Sequence, residues 1–95
     1  MNIEAFEIWW TLPAIEHIAR HNVDIDEVES CIFDNAPKVF KTYRNNEERL
    51  IIYCQCPDSG RYLMIVTTMP EDGFIRIVTA RDMTKNEKFK YKSQL

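Results

Sequence analysis

The chain has 95 residues, 45% of them hydrophobic, enough for one compact core and too few for a second. Twelve Lys and Arg face fifteen Asp and Glu, a net charge of −3 with an isoelectric point near 5.3, which excludes a uniformly basic nucleic-acid coat. No apolar run approaches the roughly 18 residues of a membrane helix, and the N-terminus has no basic start followed by an apolar stretch, so the expectation is a single soluble, cytoplasmic domain spanning residues 1–95.

The charge is unevenly placed. Residues 1–36 carry eight acids against Arg20 alone, residues 37–75 balance at five and five, and residues 76–95 carry six bases against Asp82 and Glu87. A basic end on an acidic body reads either as a local anion-binding surface or as self-complementary electrostatics within one fold.

In chain order, "FEIWW" (6–10) has the aromatic and β-branched residues of a short strand. Trp9 and Trp10 cannot both face inward on it, so one is exposed or covered by another chain, such as a second copy. Thr11 is an N-cap and Pro13 falls in the first turn of a helix with Ile15, Ile18 and Ala19 as its apolar stripe. Asp24 and Glu27 have capping-box spacing ahead of a second helix, with Val23 and Val28 spaced as a hydrophobic staple, Val28, Cys31 and Ile32 as stripe, and Asn35-Ala36-Pro37 as stop. From Lys38 the period changes to alternation. "KVFKTY", "RLIIYCQC", "RYLMIVTTM" and "FIRIVTA" read as four strands separated by "RNNEE", "PDSG" and "PEDG", turns short enough to require antiparallel neighbours. In the last strand, Arg76 shares a face with Phe74 and Val78, opposite Ile75, Ile77 and Thr79. Thr84 and Glu87 form a second capping box, opening a helix through Phe89 and Tyr91. The order β-α-α-β-β-β-β-α predicts an α+β fold: an antiparallel sheet of four to five strands with two N-terminal helices and one C-terminal helix.

Cys31, Cys54 and Cys56 are too few for a disulfide scaffold and fit reduced thiols. With His17 and His21 they suggest a zinc set on paper, but the spacings match no zinc module, and neither a metal nor another cofactor is expected.

The stretches "FEIWW", "ARHNVDIDEVES", "FDNAP", "NEERLIIY", "GRYLMIVTT" and "IRIVTARDMTKNEKFKY" resemble the BrnT family of type II toxins. The specific parts are Glu47-Glu48-Arg49 opening a strand and the Arg76-to-Arg81 strand leading into the Thr84-Lys85-x-Glu87 helix. The resemblance implies a RelE-like fold, metal-free cleavage of RNA and a cognate antitoxin as partner. At positions where the family carries an acid and a Lys, this chain has Trp10 and Pro13; the family's Lys-His-Gly turn is Arg20-His21-Asn22 here, where Asn also tolerates a left-handed backbone.

Such cleavage needs a base at the ribose 2′-OH, donors for the charge on phosphorus, and a proton for the departing 5′ oxygen. The candidate catalytic residues are Arg81, Arg49, Glu48 and His21. Arg81 is the first choice as phosphate clamp, because a guanidinium fork grips two oxygens and stays charged; the alternative is a structural ion pair with Glu47, Glu48 or a helix acid. Glu48 acts either as base or, flanked by Arg, as orienting carboxylate. His21 is either a general acid or base or a helix-terminal residue facing the last carbonyls. Candidate RNA-binding residues are Arg76, Lys85, Lys88, Tyr53 and Tyr91, as phosphate contacts or stacking platforms, with core packing the simpler role for the tyrosines and a solvated helix face the simpler role for the lysines. The rival to a ribonuclease is a non-catalytic module on the same scaffold that binds a protein partner or nucleic acid.

Overall fold

The computed structural model describes residues 2–34 and 36–93. A short 3-10 turn, Ile3–Ala5, precedes β1 (Glu7–Ile8), α1 (Leu12–Ala19), α2 (Ile25–Asp34), β2 (Lys38–Arg44), β3 (Glu47–Gln55), β4 (Tyr62–Thr68), β5 (Phe74–Ile75), β6 (Ile77–Asp82) and α3 (Lys85–Ser93). This is the α+β architecture expected. An antiparallel sheet runs in the order β2-β3-β4-β6, and β1 pairs in parallel with β5.

The local rules explain most boundaries. Thr11 Oγ1 accepts the Ala14 N–H at the start of α1. Its end is a left-handed cap at Asn22 (φ 58°), with Asn22 N–H to Ala19 O and Val23 N–H to Ile18 O, the 5→2 and 6→1 bonds that satisfy terminal carbonyls. Asp24 and Glu27 exchange their capping bonds, as do Thr84 and Glu87. The β2–β3 hairpin turns on Asn45 and Asn46, both with positive φ (52° and 65°), and Asp72-Gly73 makes a second such turn (53° and 83°), because mirror-image turns match strand twist. Of the proposed α2 stop, Asn35 lies outside the described residues.

One sheet face, with Leu50, Ile52, Cys54, Leu63, Ile65 and Ala80, packs with Ile18, Val28, Cys31 and Ile32 of α1 and α2 into the main core. The other carries Met64, Val66, Ile51, Tyr53 and Tyr62; α3 covers one end of it through Tyr91, and Met83 joins that smaller cluster. The rest of this second face is open.

Three expectations are corrected. Only Glu7 and Ile8 of "FEIWW" are strand, outside the four-stranded sheet. Ala19 is exposed, so the α1 stripe rests on Ile15 and Ile18. The "FIRIVTA" strand breaks at Arg76 and is bulged: Ile77 pairs with Thr67 and Thr79 with Val66, leaving Val78 as the extra residue. The bulge reverses the alternation. Ile77 and Ala80 face the core, while Thr79 and Arg81 turn to the open face, so Thr79 does not share the face of Ile77.

Candidate active site

A cleft of about 670 Å³ occupies the uncovered end of the open face, lined by His17, His21, Arg44, Asn45, Glu47, Arg49, Met64, Val66, Val78, Thr79 and Arg81. Arg49 lies opposite Thr68 on β4, and Arg81 lies opposite Met64. Four residues separate those partners, roughly 13 Å along the strand, and two inter-strand spacings, about 10 Å, separate β3 from β6. The guanidiniums thus approach from opposite corners over a floor of Met64, Val66 and Thr79. α1 lies beside β6, so His17 and His21, one helical turn apart, form the side wall. Their rings stand edge to face at 5.7 Å, and His17 Nε2 lies 3.1 Å from Thr79 Oγ1.

Arg81 and Arg49 each have a carboxylate. Arg81 Nη1 and Nη2 donate to Glu87 Oε1 and Oε2 at 2.8 and 3.1 Å, and Nη1 also donates to Asp82 O. These bonds hold the Glu87 carboxyl below its ordinary value and raise Arg81 further. The partner is the helix acid of the α3 capping box, so one carboxylate both starts α3 and fixes Arg81. Arg49 pairs with Glu47 and donates to Glu48 O.

The structure therefore brings together Arg49, Arg81 and His21. The side chain of Glu48 is elsewhere: it accepts the Tyr43 hydroxyl at 2.7 Å, and Glu47, its neighbour, enters the cleft instead. Tyr53 and Tyr91 line a separate apolar pocket of about 220 Å³ with Lys38, Phe40, Ile51, Glu87 and Lys90. Burial pushes both phenols up, which leaves them neutral donors at physiological pH. Lys85 is exposed in the first turn of α3, and Lys88 lies 5.0 Å over the Tyr62 ring; neither lines the cleft. Arg76 sits 5.4 Å over the Trp9 ring and lines a third pocket, not the cleft.

The sequence reading did not place His17, Arg44, Asn45, Glu47 or Thr79 in the site, whereas Glu87 is the helix acid that the alternative reading of Arg81 allowed. The i, i+4 spacing of His17 and His21 was a usable signal, since it puts both rings on one helix face. Arg61 carried no signal at all. It donates to Glu27 through Nη1 (2.9 and 3.0 Å), to Asn22 O (2.6 Å) and to Asp82 Oδ1 (3.1 Å), and reaches His21 O at 3.5 Å. It ties the turn carrying His21 to α2 and to the end of β6.

The three cysteines are buried on the core side, with Cys31 Sγ and Cys56 Sγ 2.8 Å apart. Burial pushes the Cys56 thiol up to about 12, and a hydrogen bond donated to Cys54 together with burial raises Cys31, so these thiols stay protonated. Among the described residues no group of three or more His, Cys, Asp and Glu is placed to hold a metal ion.

A small α+β domain with three arginines and two histidines around an open cleft is the outline of a protein that handles a polyanion. Residues 9–87 match the family of ribonuclease toxins, BrnT, of type II toxin-antitoxin systems, and the chain belongs to that family. An antitoxin partner follows from that membership. No curated protein and no solved structure matches the chain.

Proposed function

We propose that the protein is a metal-independent, RelE-like endoribonuclease of the cytoplasm, inactive while a cognate antitoxin covers its cleft. The observation that carries this reading is the convergence of Arg49, Arg81, His17 and His21 on one cleft. One imidazole takes the proton of a ribose 2′-OH, whose oxygen attacks the adjacent phosphorus; the second gives a proton to the leaving 5′ oxygen. The products are a 2′,3′-cyclic phosphate and a 5′-hydroxyl. Arg81 and Arg49 stabilise the charge that builds on the non-bridging oxygens. Thr79, bonded to His17, orients that ring. The exposed Trp9, 52% accessible, supports a protein contact there as well, either the antitoxin or a second copy.

Arg49 and Arg81 already hold carboxylates, which favours a second reading: a module that binds RNA or a partner through this cleft without cutting. Incubating purified protein with RNA in excess chelator separates the two. Cyclic-phosphate ends that disappear in Arg81→Ala and in His21→Ala support catalysis. Intact RNA, with expression of the chain leaving growth unaffected, refutes it.

A further inference from the structure

The pocket next to the cleft has a different chemistry. It is about 270 Å³ and is lined by Trp9, Thr68, Glu71, Asp72, Phe74 and Arg76. Three pieces of backbone build it. The Asp72-Gly73 turn closes a tight hairpin, with Glu71 and Phe74 exchanging both backbone bonds at 2.9 and 3.0 Å. The Trp9 N–H bonds Ile75 O at 2.8 Å, which sets the indole edge to face with Phe74 at 5.5 Å. The Arg76 N–H bonds Thr68 Oγ1 at 3.0 Å, and Thr68 N–H bonds Arg76 O at 2.9 Å. Arg76, Glu71 and Asp72 therefore sit around an indole on fixed backbone, and among the described residues none of the three side chains is in an ion pair.

We infer that this pocket is a subsite for a guanine base of the RNA strand lying in the cleft; the inference rests on the ribonuclease reading. One cation against two carboxylates leaves the pocket net negative, which disfavours a phosphate and suits a neutral ligand rich in donors. Guanine alone among the four bases combines an N1–H and amino edge, which donates twice to a carboxylate, with an O6/N7 edge that accepts both prongs of an arginine. The indole of Trp9 supplies the stacking surface for a single base, with the Arg76 guanidinium beside it to meet the base edge. The volume falls just under the ~300–1,000 Å³ of pockets that enclose whole drug-sized ligands, as one base requires. The pocket also adjoins the phosphate cleft: Thr68 is the cross-strand partner of Arg49, and Arg76 lies two residues before Val78.

The test titrates the protein with GMP, AMP, CMP and UMP while following the Trp9 indole N–H by NMR. Trp10, whose indole bonds Glu29 at 3.0 Å, is the internal reference. GMP is expected to shift the Trp9 signal with affinity at least about tenfold above the other three. The Glu71→Gln/Asp72→Asn double variant should lose that preference, and Trp9→Phe should retain more GMP binding than Trp9→Ala, read by equilibrium dialysis because these two lack the indole signal; both changes lie at exposed positions, and thermal melts verify folding. Equal shifts from all four nucleotides, no shift at all, or a guanine preference that survives the double variant overturns the inference. So does a Trp9 signal that responds only to the antitoxin protein, which makes the pocket a protein contact. Mapping cut positions separates the two levels: cleavage of RNA with no guanine beside the cut sinks the subsite and leaves the ribonuclease, whereas a selective GMP shift without cleavage sinks the ribonuclease and leaves a base pocket.

Discussion

Replacing Glu87 with Gln isolates the electrostatic work of one carboxylate. Gln preserves the capping-box geometry with Thr84 but removes the charge facing Arg81. Two charge-assisted hydrogen bonds of 2.8 and 3.1 Å are involved, with side chains 21% and 34% exposed. A charge-assisted bond contributes about 1.5–3 kcal/mol when shielded, and solvent screening at this exposure reduces the pair to about 1–2 kcal/mol in total. At about 4–8 °C per kcal/mol for a domain of this size, Tm should fall by roughly 5–15 °C. The pH dependence has a fixed sign. Because Arg81 holds the Glu87 carboxyl low, its contribution is fully present above the unfolded carboxylate value of about 4.3 and is lost as pH falls through the lower folded value. Melts in a pH series should therefore show wild type and variant converging below about pH 4. Release of Arg81 should also tighten RNA binding and steepen its salt dependence by about 0.7 in logarithmic slope. A variant with wild-type Tm at pH 7, or curves that stay parallel through acid, refutes the ion-pair account; weaker RNA binding shows instead that Glu87 positions Arg81 for phosphate.

Arg61→Ala removes bonds to Glu27, Asp82 and the 21–22 turn together; a stability loss of about 2–3 kcal/mol in urea titration is expected, with the His21 ring signal shifted, and an unshifted ring means the turn holds itself. Asn46→Val forces a β-branched residue to φ 65° and should cost about 1–3 kcal/mol, whereas Asn46→Gly should be close to neutral; equal effects in thermal melts rule out backbone strain as the cause. Ile52→Ala, fully buried in the main core, should lose about 2–5 kcal/mol by the same measurement. Cys31 and Cys56, held as thiols by burial, should resist iodoacetamide at pH 8 in the native protein and react on unfolding; rapid native labelling would show the core face to be open.

The parts of the fold readable in the sequence were those specified by neighbouring residues. Both capping boxes, the Thr11 cap, the Val23–Val28 staple and the turn at Asn22 depend on residues within five positions of one another, and all appear as expected. The site was only partly legible because its partners are distant in the chain. Arg61 meets Glu27 across 34 positions and His17 meets Thr79 across 62, separations at which no periodicity signals contact. Glu48 illustrates the same limit, since membership of a Glu-Glu-Arg motif does not say which acid turns toward the cleft; the cross-strand pairing of Tyr43 with Glu48 decides it.

The bulge at Val78 links fold to site most directly. Strict alternation from the buried Ile77 would send Thr79 and Arg81 into the core and leave Ala80 in solvent. That arrangement buries a guanidinium without its partner, at a cost of several kcal/mol. One extra residue resolves the conflict: Ile77 and Ala80, three apart, both reach the core, and Thr79 and Arg81 both reach the cleft. The apolar spacing of three within a strand is a visible signal for the bulge, because no unbroken strand places positions three apart on one face. Deleting Val78 removes the extra residue: Thr79 then follows Ile77 directly, plain alternation keeps Ala80 in the core, and Arg81 still faces the cleft. The deletion variant is expected to stay folded in urea titration and to keep its RNA binding, while unfolding at much lower urea with no RNA binding would show that the bulged backbone itself, and not the order of these side chains, sets the orientation of Arg81.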